Sequence, residues 1–307
     1  MKGETGMRDH ITTNHISSFN ISEEEEQELF LRLQSSEKAC EEYLFYLKWP
    51  DGFVCPYCGH GQAYTIRTRK QPLYECACCK HQTSLTAGTI MECTRTSLIK
   101  WFTAIYHLAN PKQGMSATVL AGLIHVTYKT AWSMLHAIRG ALSEGKQLLP
   151  PTGRMCLHSE TLTYSHPTSS LEDPPTNPSV IVCVSLTEQD EPYRVHMKAV
   201  QTEDYEGGQL SREIVEEFCD QYMGSVKQPG LTKVNRFVSG KRKKGLPLAR
   251  QAGEWLHSTF CGIGTKYRQR YLDEFCCRIN LMLEGLPLFR EISRMCARSA
   301  SSSISFL

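Results

Sequence analysis

The sequence predicts an α/β multi-domain chain: a small cysteine-knuckled unit and a run of helices, followed by a mixed-sheet domain. Three observations predict it. "CPYCGHGQAYTIRTRKQPLYECACC" (55–79) holds two Cys-x-x-Cys pairs separated by 17 residues. From Leu98 to Leu142 apolar residues recur at helical spacing, and beyond residue 153 the period changes from 3.6 to 2, as strands require. At 307 residues the chain has room for two domains or three small ones.

A net charge of +2 excludes a globally basic DNA coat, so any nucleic-acid surface must be a local patch. Fourteen cysteines are compatible with a secreted disulfide scaffold, but the first 30 residues are polar, include the run "EEEEQE" and carry no signal-peptide pattern. No apolar run approaches the length of a membrane span. The expectation is a cytoplasmic protein without a membrane partner, its extra thiols serving as small buried hydrophobes.

In chain order, residues 1–20 lack periodicity and are expected to be a flexible leader. N-terminal helices follow over 21–50: Ser22 and Glu25 form a capping box before "ELFLRL", and "EKACEEYLFYLKW" repeats the helical pattern. Over 51–92 the spacing predicts a zinc ribbon, because two matched knuckles suit one tetrahedral Zn²⁺ held by Cys55, Cys58, Cys76 and Cys79. Four thiolates leave no open position, so the metal is structural; Cys78 is a competitor for the last place.

Over 93–142 the pattern is helical. "TSLIKWFTAIYHLA" precedes "GMSATVLAGLIHVTYKTAWSMLHAIRGAL", two helices about the turn "HVT", with Ser116 capping the first. A short helix, a tight turn and a longer helix form a helix-turn-helix arrangement. Its second helix would offer Tyr128, Lys129, Thr130, Ser133, His136 and Arg139 to double-stranded DNA. A linker is expected at 143–153. Over 154–290, "RMCLHSETLTY", "SVIVCVSL" and "YRVHMKAV" read as strands, "SREIVEEFCDQYM" as a helix, "LTKVNRFV" as a fourth strand and the remainder as closing helices. Lys241, Arg242, Lys243 and Lys244 make a basic turn suited to phosphate contact. The serine-rich end, 291–307, is expected to be a disordered tail.

"WPDGFVCPYCG", "YECACCKHQTSLTAGTIMECTRTSLIKWFTAIYHLA", the helix-turn-helix stretch and "GIGTKYRQRYLDEFCCRIN" resemble the zinc-ribbon transposases of the IS fifteen-ninety-five insertion-sequence family over about residues 40–285. The last stretch resembles that family's "GVS-K-LQ-YL-EF-FR-N" signature. The resemblance implies an RNase-H-like mixed-sheet domain holding two Mg²⁺ ions on an Asp, Asp, Glu or Asn triad, and a homo-oligomer on DNA that cuts element ends. Such ions sit about 3.5–4 Å apart and need several carboxylate oxygens.

Carried over residue by residue, that triad is altered. The family's "V-x-V-D-E-T" strand falls on Cys156 to Thr161, putting Ser159 where the aspartate would be. The second acid falls in "QPGLTKVNRFV", at Asn235 or Arg236, and the third position is Gln251, four residues before Trp255-Leu256. A degenerate centre and DNA binding without efficient cleavage are therefore expected. One rival is a shifted register in which Glu160, Asp204 or Asp220, and Glu254 hold Mg²⁺; another is a zinc-ribbon protein-interaction module or transposase-derived repressor. His158 and His166 have no carboxylate in step and are expected to be ordinary polar positions.

Overall fold

The computed structural model describes residues 23–67, 71–110, 114–145, 154–162, 179–189, 191–201, 204–206, 209–223, 246–260 and 263–298. The leader and the Ser22 cap, the fourth-strand segment with Asn235 and Arg236, the Lys241–Lys244 run and His166 lie outside them.

Helices α1 (Glu23–Ser35) and α2 (Glu37–Lys48) meet at Ser36, whose hydroxyl accepts from the Ala39 N–H at 3.1 Å and caps α2. The ribbon is an antiparallel sheet in the order β1 (Ala63–Ile66), β2 (Leu73–Cys76), β3 (Gln82–Ser84). Helix α3 (Leu98–Ala109) begins under Glu37, whose carboxylate accepts from the Leu98 N–H at 2.7 Å and the Ile99 N–H at 3.3 Å. Two free amide donors and the positive end of the helix dipole are thereby satisfied by an acid from α2. Helices α4 (Ala117–Ile124) and α5 (Tyr128–Gly145) follow. The expected linker therefore starts late: Ser143 to Gly145 are the last turn of α5.

A second antiparallel sheet has the order β4 (Arg154–Thr161), β5 (Ser179–Leu186), β6 (Pro192–Val200). A two-residue-strand hairpin, β7 (Tyr205–Glu206) with β8 (Gln209–Leu210), leads to α6 (Arg212–Met223). Helices α7 (Leu246–Phe260), α8 (Thr265–Leu283) and α9 (Leu288–Arg298) end the described chain. The continuous apolar run of β5 is explained by burial on both faces. Val180, Val182 and Val184 join α7 and α8, whereas Ile181 and Cys183 pack with Ile214 and Phe218 of α6.

Two expectations are corrected here. Residues 291–298 are not tail but most of α9, and Ile292, Cys296 and Ala297 are buried in the core shared by the ribbon and α1 to α5. The serine-rich composition applies only beyond them. Nor does a domain boundary fall at 290, because Cys277 and Leu281 of α8 and Phe289 of α9 close that N-terminal core.

Helix α8 belongs to both halves. On one side its side-chain amides mimic a strand along the edge of β6 that no described strand pairs. Gln269 donates to Met197 O at 2.9 Å and accepts from Ala199 N at 2.8 Å, while Asn280 accepts from Val195 N at 2.7 Å and donates to Val195 O at 2.9 Å. Residues 195, 197 and 199 all present their backbone to that edge, and an edge left bare invites foreign strands. On the other side Asp273 accepts from the Ser143 hydroxyl of α5 at 2.6 Å.

Candidate functional site

The ribbon is built from two knuckles of the same design. Cys55 N–H donates to His60 O (2.9 Å) and Gly59 N–H to Cys55 O (2.9 Å); Cys76 N–H donates to His81 O (2.9 Å) and Lys80 N–H to Cys76 O (3.1 Å). Each turn closes on a residue of positive φ, Gly59 at 73° and Lys80 at 61°, the same place in each knuckle. The four Sγ atoms of Cys55, Cys58, Cys76 and Cys79 all lie within 4.8 Å of one another, with Cys55–Cys79 and Cys58–Cys76 at 3.6 Å. A tetrahedral zinc with Zn–S near 2.3 Å needs sulfurs roughly 3.8 Å apart, so the cage fits the ion. Cys78 is exposed and stands outside the group, so the four-sulfur cluster that fits zinc is completed by Cys79.

The sulfurs are electrostatically unequal. Burial pushes the Cys76 thiol up, but N–H groups of Cys79 and Cys78 and the Cys58 and Cys79 thiols donate to it and bring it down to about 6. Cys55 is also lowered: burial raises it, and the backbone of Cys58 and Tyr57 outweighs that. Cys58 receives an N–H from His60, yet its neighbouring thiols hold its proton and it rises to about 12. In each knuckle the first cysteine is thus the one whose thiolate the surrounding N–H groups favour. Lys48 at the end of α2 locks the ribbon from below, donating to Ser84 O (3.3 Å), Leu85 O (3.2 Å) and Ala87 O. Burial holds its ammonium down to about 8, against the raising influence of Glu92.

The α4–turn–α5 unit is capped at each joint. Ser116 Oγ accepts from Val119 N at 3.3 Å, His125 ends α4 at φ 51°, and Thr127 Oγ1 accepts from Thr130 N at 3.2 Å to start α5. Lys100 of α3 donates to His125 O at 3.1 Å, fixing the turn to the bundle. Of the residues expected to face DNA, Tyr128 (60% exposed) and Lys129 are exposed, and Thr130 and Ser133 are half-buried.

His136 and Arg139 are corrections, for both lie inside. Arg139 is 1% exposed, donates from Nε to Glu274 at 2.6 Å and from Nη2 to Met115 O at 3.1 Å, and lies 4.1 Å from the Tyr271 ring centroid. His136 sits against Trp132 and Tyr267, with ring centroids 3.8 and 4.8 Å away. Helical phase alone points them outward, but α8 covers that side of α5.

In the second sheet, Ser159 pairs with Ile181 and Glu160 with Val180. Their register positions therefore fall on opposite faces, Glu160's on the face that α7 and α8 cover and Ser159's on that of α6. Gln251 and Glu254 are exposed on α7, Asp220 is exposed on α6, and Asp204 accepts from the Gln201 N–H at 2.8 Å. Among the described residues, the four cysteines are the only metal-ligand cluster. No described helix is long and apolar enough to cross a membrane.

Sequence reading missed the outer face of the ribbon, where Tyr57 and Tyr64 are exposed beside Lys80 and His81. Their signal was their position between or beside the knuckle cysteines, which leaves a large side chain no core to enter.

Residues 35–82 match the family model described as transposase zinc-ribbon domain, a span that covers α2, β1, β2 and all four knuckle cysteines. No curated protein and no solved structure matches the chain.

Proposed function

We propose that the chain is an insertion-sequence transposase-type protein that binds double-stranded DNA at element ends and is impaired in strand cleavage. The observation that carries the reading is the match of the four-cysteine ribbon to the transposase zinc-ribbon domain. The α4–turn–α5 unit supports it as a helix-turn-helix, with the exposed first turn of α5 (Tyr128, Lys129) at the groove and Lys129 on phosphate. Zinc has no catalytic part in this reading. It staples a ribbon too small for its own core and fixes it against the helical unit. The RNase-H-like assignment of the second sheet rests on β4, β5, β6 and α6 arriving in the expected order.

Impairment follows from Ser159 and Gln251 at the positions where Mg²⁺ would need charged oxygens. The second reading, an active enzyme using Glu160 and Glu254, is favoured by one observation: Glu160's register position shares the α7 face. End-labelled DNA flanking the protein's own gene, incubated with Mg²⁺ or Mn²⁺ and read by gel shift and for cleavage, separates them. A shift without cuts is expected. Metal-dependent cuts at a defined end would overturn impairment, and no shift at low salt would overturn DNA binding.

A further inference from the structure

We infer that the outer face of the zinc ribbon is a binding surface for single-stranded nucleic acid, distinct from the duplex-reading α5; the inference rests on the DNA-handling reading above and deepens it. Tyr57, between the cysteines of the first knuckle, is 78% exposed, and Tyr64 on β1 is 62% exposed. Neither ring belongs to the N-terminal core, which the ribbon enters through Phe53, Tyr74 and Leu85 instead. The exposed rings are joined through the second knuckle: Tyr57 lies nearly parallel to His81 (17°, centroids 5.8 Å apart), and Lys80 Nζ stands 5.4 Å from the Tyr64 centroid. Lys80 and His81 are consecutive, so the two contacts meet at the second knuckle as a strip of exposed side chains.

The composition of the strip selects the partner. Water-exposed tyrosines contribute little to folding, but an unpaired base offers each a π-face on which to stack. Lys80 supplies the charge that tracks a phosphate backbone, and His60 is exposed on the same small ribbon. The acid opposite Tyr64, Glu75, is already engaged by Gln82 Nε2 at 2.9 Å. Duplex DNA hides its base faces in the stack, so exposed aromatic rings beside a cation favour an unpaired strand over a duplex.

The test is fluorescence anisotropy on the full zinc-loaded chain, with labelled oligo-dT of about 15 nucleotides and, separately, the flanking duplex. The wild type should bind the single strand. Tyr57→Ala with Tyr64→Ala should weaken that binding roughly five- to 100-fold, leave duplex affinity within about twofold and keep the zinc content unchanged. If alanines loosen the ribbon and zinc is lost, Tyr57→Leu with Tyr64→Leu keeps bulk without π-faces, and the same loss is expected. Absence of single-strand affinity in the wild type, or its survival in the zinc-loaded variants, overturns the inference and leaves the face to a protein partner. Single-strand binding without duplex binding upholds it while overturning the role given to α5.

Discussion

Gly114, just before α4, shows how tightly the helical unit is set against α7. A Cβ there would lie 2.5 Å from the Thr259 side chain and 2.6 Å from Trp255 Nε1. Gly114→Ala should therefore destabilise the fold by about 1–3 kcal/mol through overpacking, measured as a lower urea midpoint. Arg139 and Lys129 offer a sharper contrast on one helix. Arg139→Met leaves Glu274, 0% exposed, with Arg278 Nη1 at 3.6 Å as its nearer remaining cation, and should cost roughly 3–5 kcal/mol. Duplex affinity of the molecules that stay folded should not change. Lys129→Ala should do the opposite, leaving the melting temperature in place and reducing the salt dependence of duplex binding by about one phosphate. If Arg139→Met weakens binding without lowering stability, its burial against Glu274 is not what α5 uses it for.

His136 adds a pH dependence with a definite sign. Burial, with Arg139 and Arg270 adding repulsion, holds its imidazole down to about 4, against roughly 6.5 in an unfolded chain. Between those values the unfolded state binds a proton that the folded state refuses. Stability from this residue is complete above about pH 6.5 and falls as pH drops toward 4, by on the order of 2–3 kcal/mol. Urea unfolding at several pH values, compared with His136→Phe, isolates the effect from protonation of the zinc thiols. A variant with the wild-type slope would remove His136 as its cause.

At the scale of elements, α8 decides which parts of the chain hold together. Its Gln269 and Asn280 satisfy β6 backbone groups that would otherwise be bare. Asn280→Ala should cost about 1–3 kcal/mol by stranding the Val195 N–H and C=O, and amide exchange at Val195 should rise first. The same helix shows what was legible in the sequence. The ribbon could be read because its ligands are spaced by a local rule, and α2 to α5 because helical period is local too. The resemblance at "GIGTKYRQRYLDEFCCRIN" was legible as a pattern, but not its purpose. Arg139 meets Glu274 across 135 residues and Asn280 meets Val195 across 85, and no periodicity encodes which distant helix covers a given face. For the same reason α9 was hidden behind a serine-rich end: its apolar positions 289, 292 and 296 matter only once the N-terminal core is there to receive them.

At the scale of the molecule, the N-terminal unit shares its core with the C-terminal helices even though its sequence reads as a separate module. Its core takes Phe289, Ile292, Cys296 and Ala297 from the far end of the chain, and the Ile90 N–H donates to Cys296 O at 3.1 Å. Phe289 lies against Tyr106 of α3 and Tyr43 of α2, with centroids 5.3 and 6.4 Å away. A fragment spanning 23–145 would expose those rings and leave Arg139 without its carboxylate, so zinc alone should not rescue it. The expected result is a fragment that binds zinc through its local knuckles yet unfolds with low cooperativity and aggregates. A separate peptide spanning 263–298, added or fused, should restore a cooperative transition by supplying α8 and α9. A 23–145 fragment that melts cooperatively near the full chain's temperature would show that the ribbon and helices form a true domain and that α9 merely rests on it. Removing zinc from the intact chain should then act in the reverse direction: Cys55 and Cys76 lie in the same core as α9, so chelation should lower the stability of the C-terminal helices as well as the ribbon.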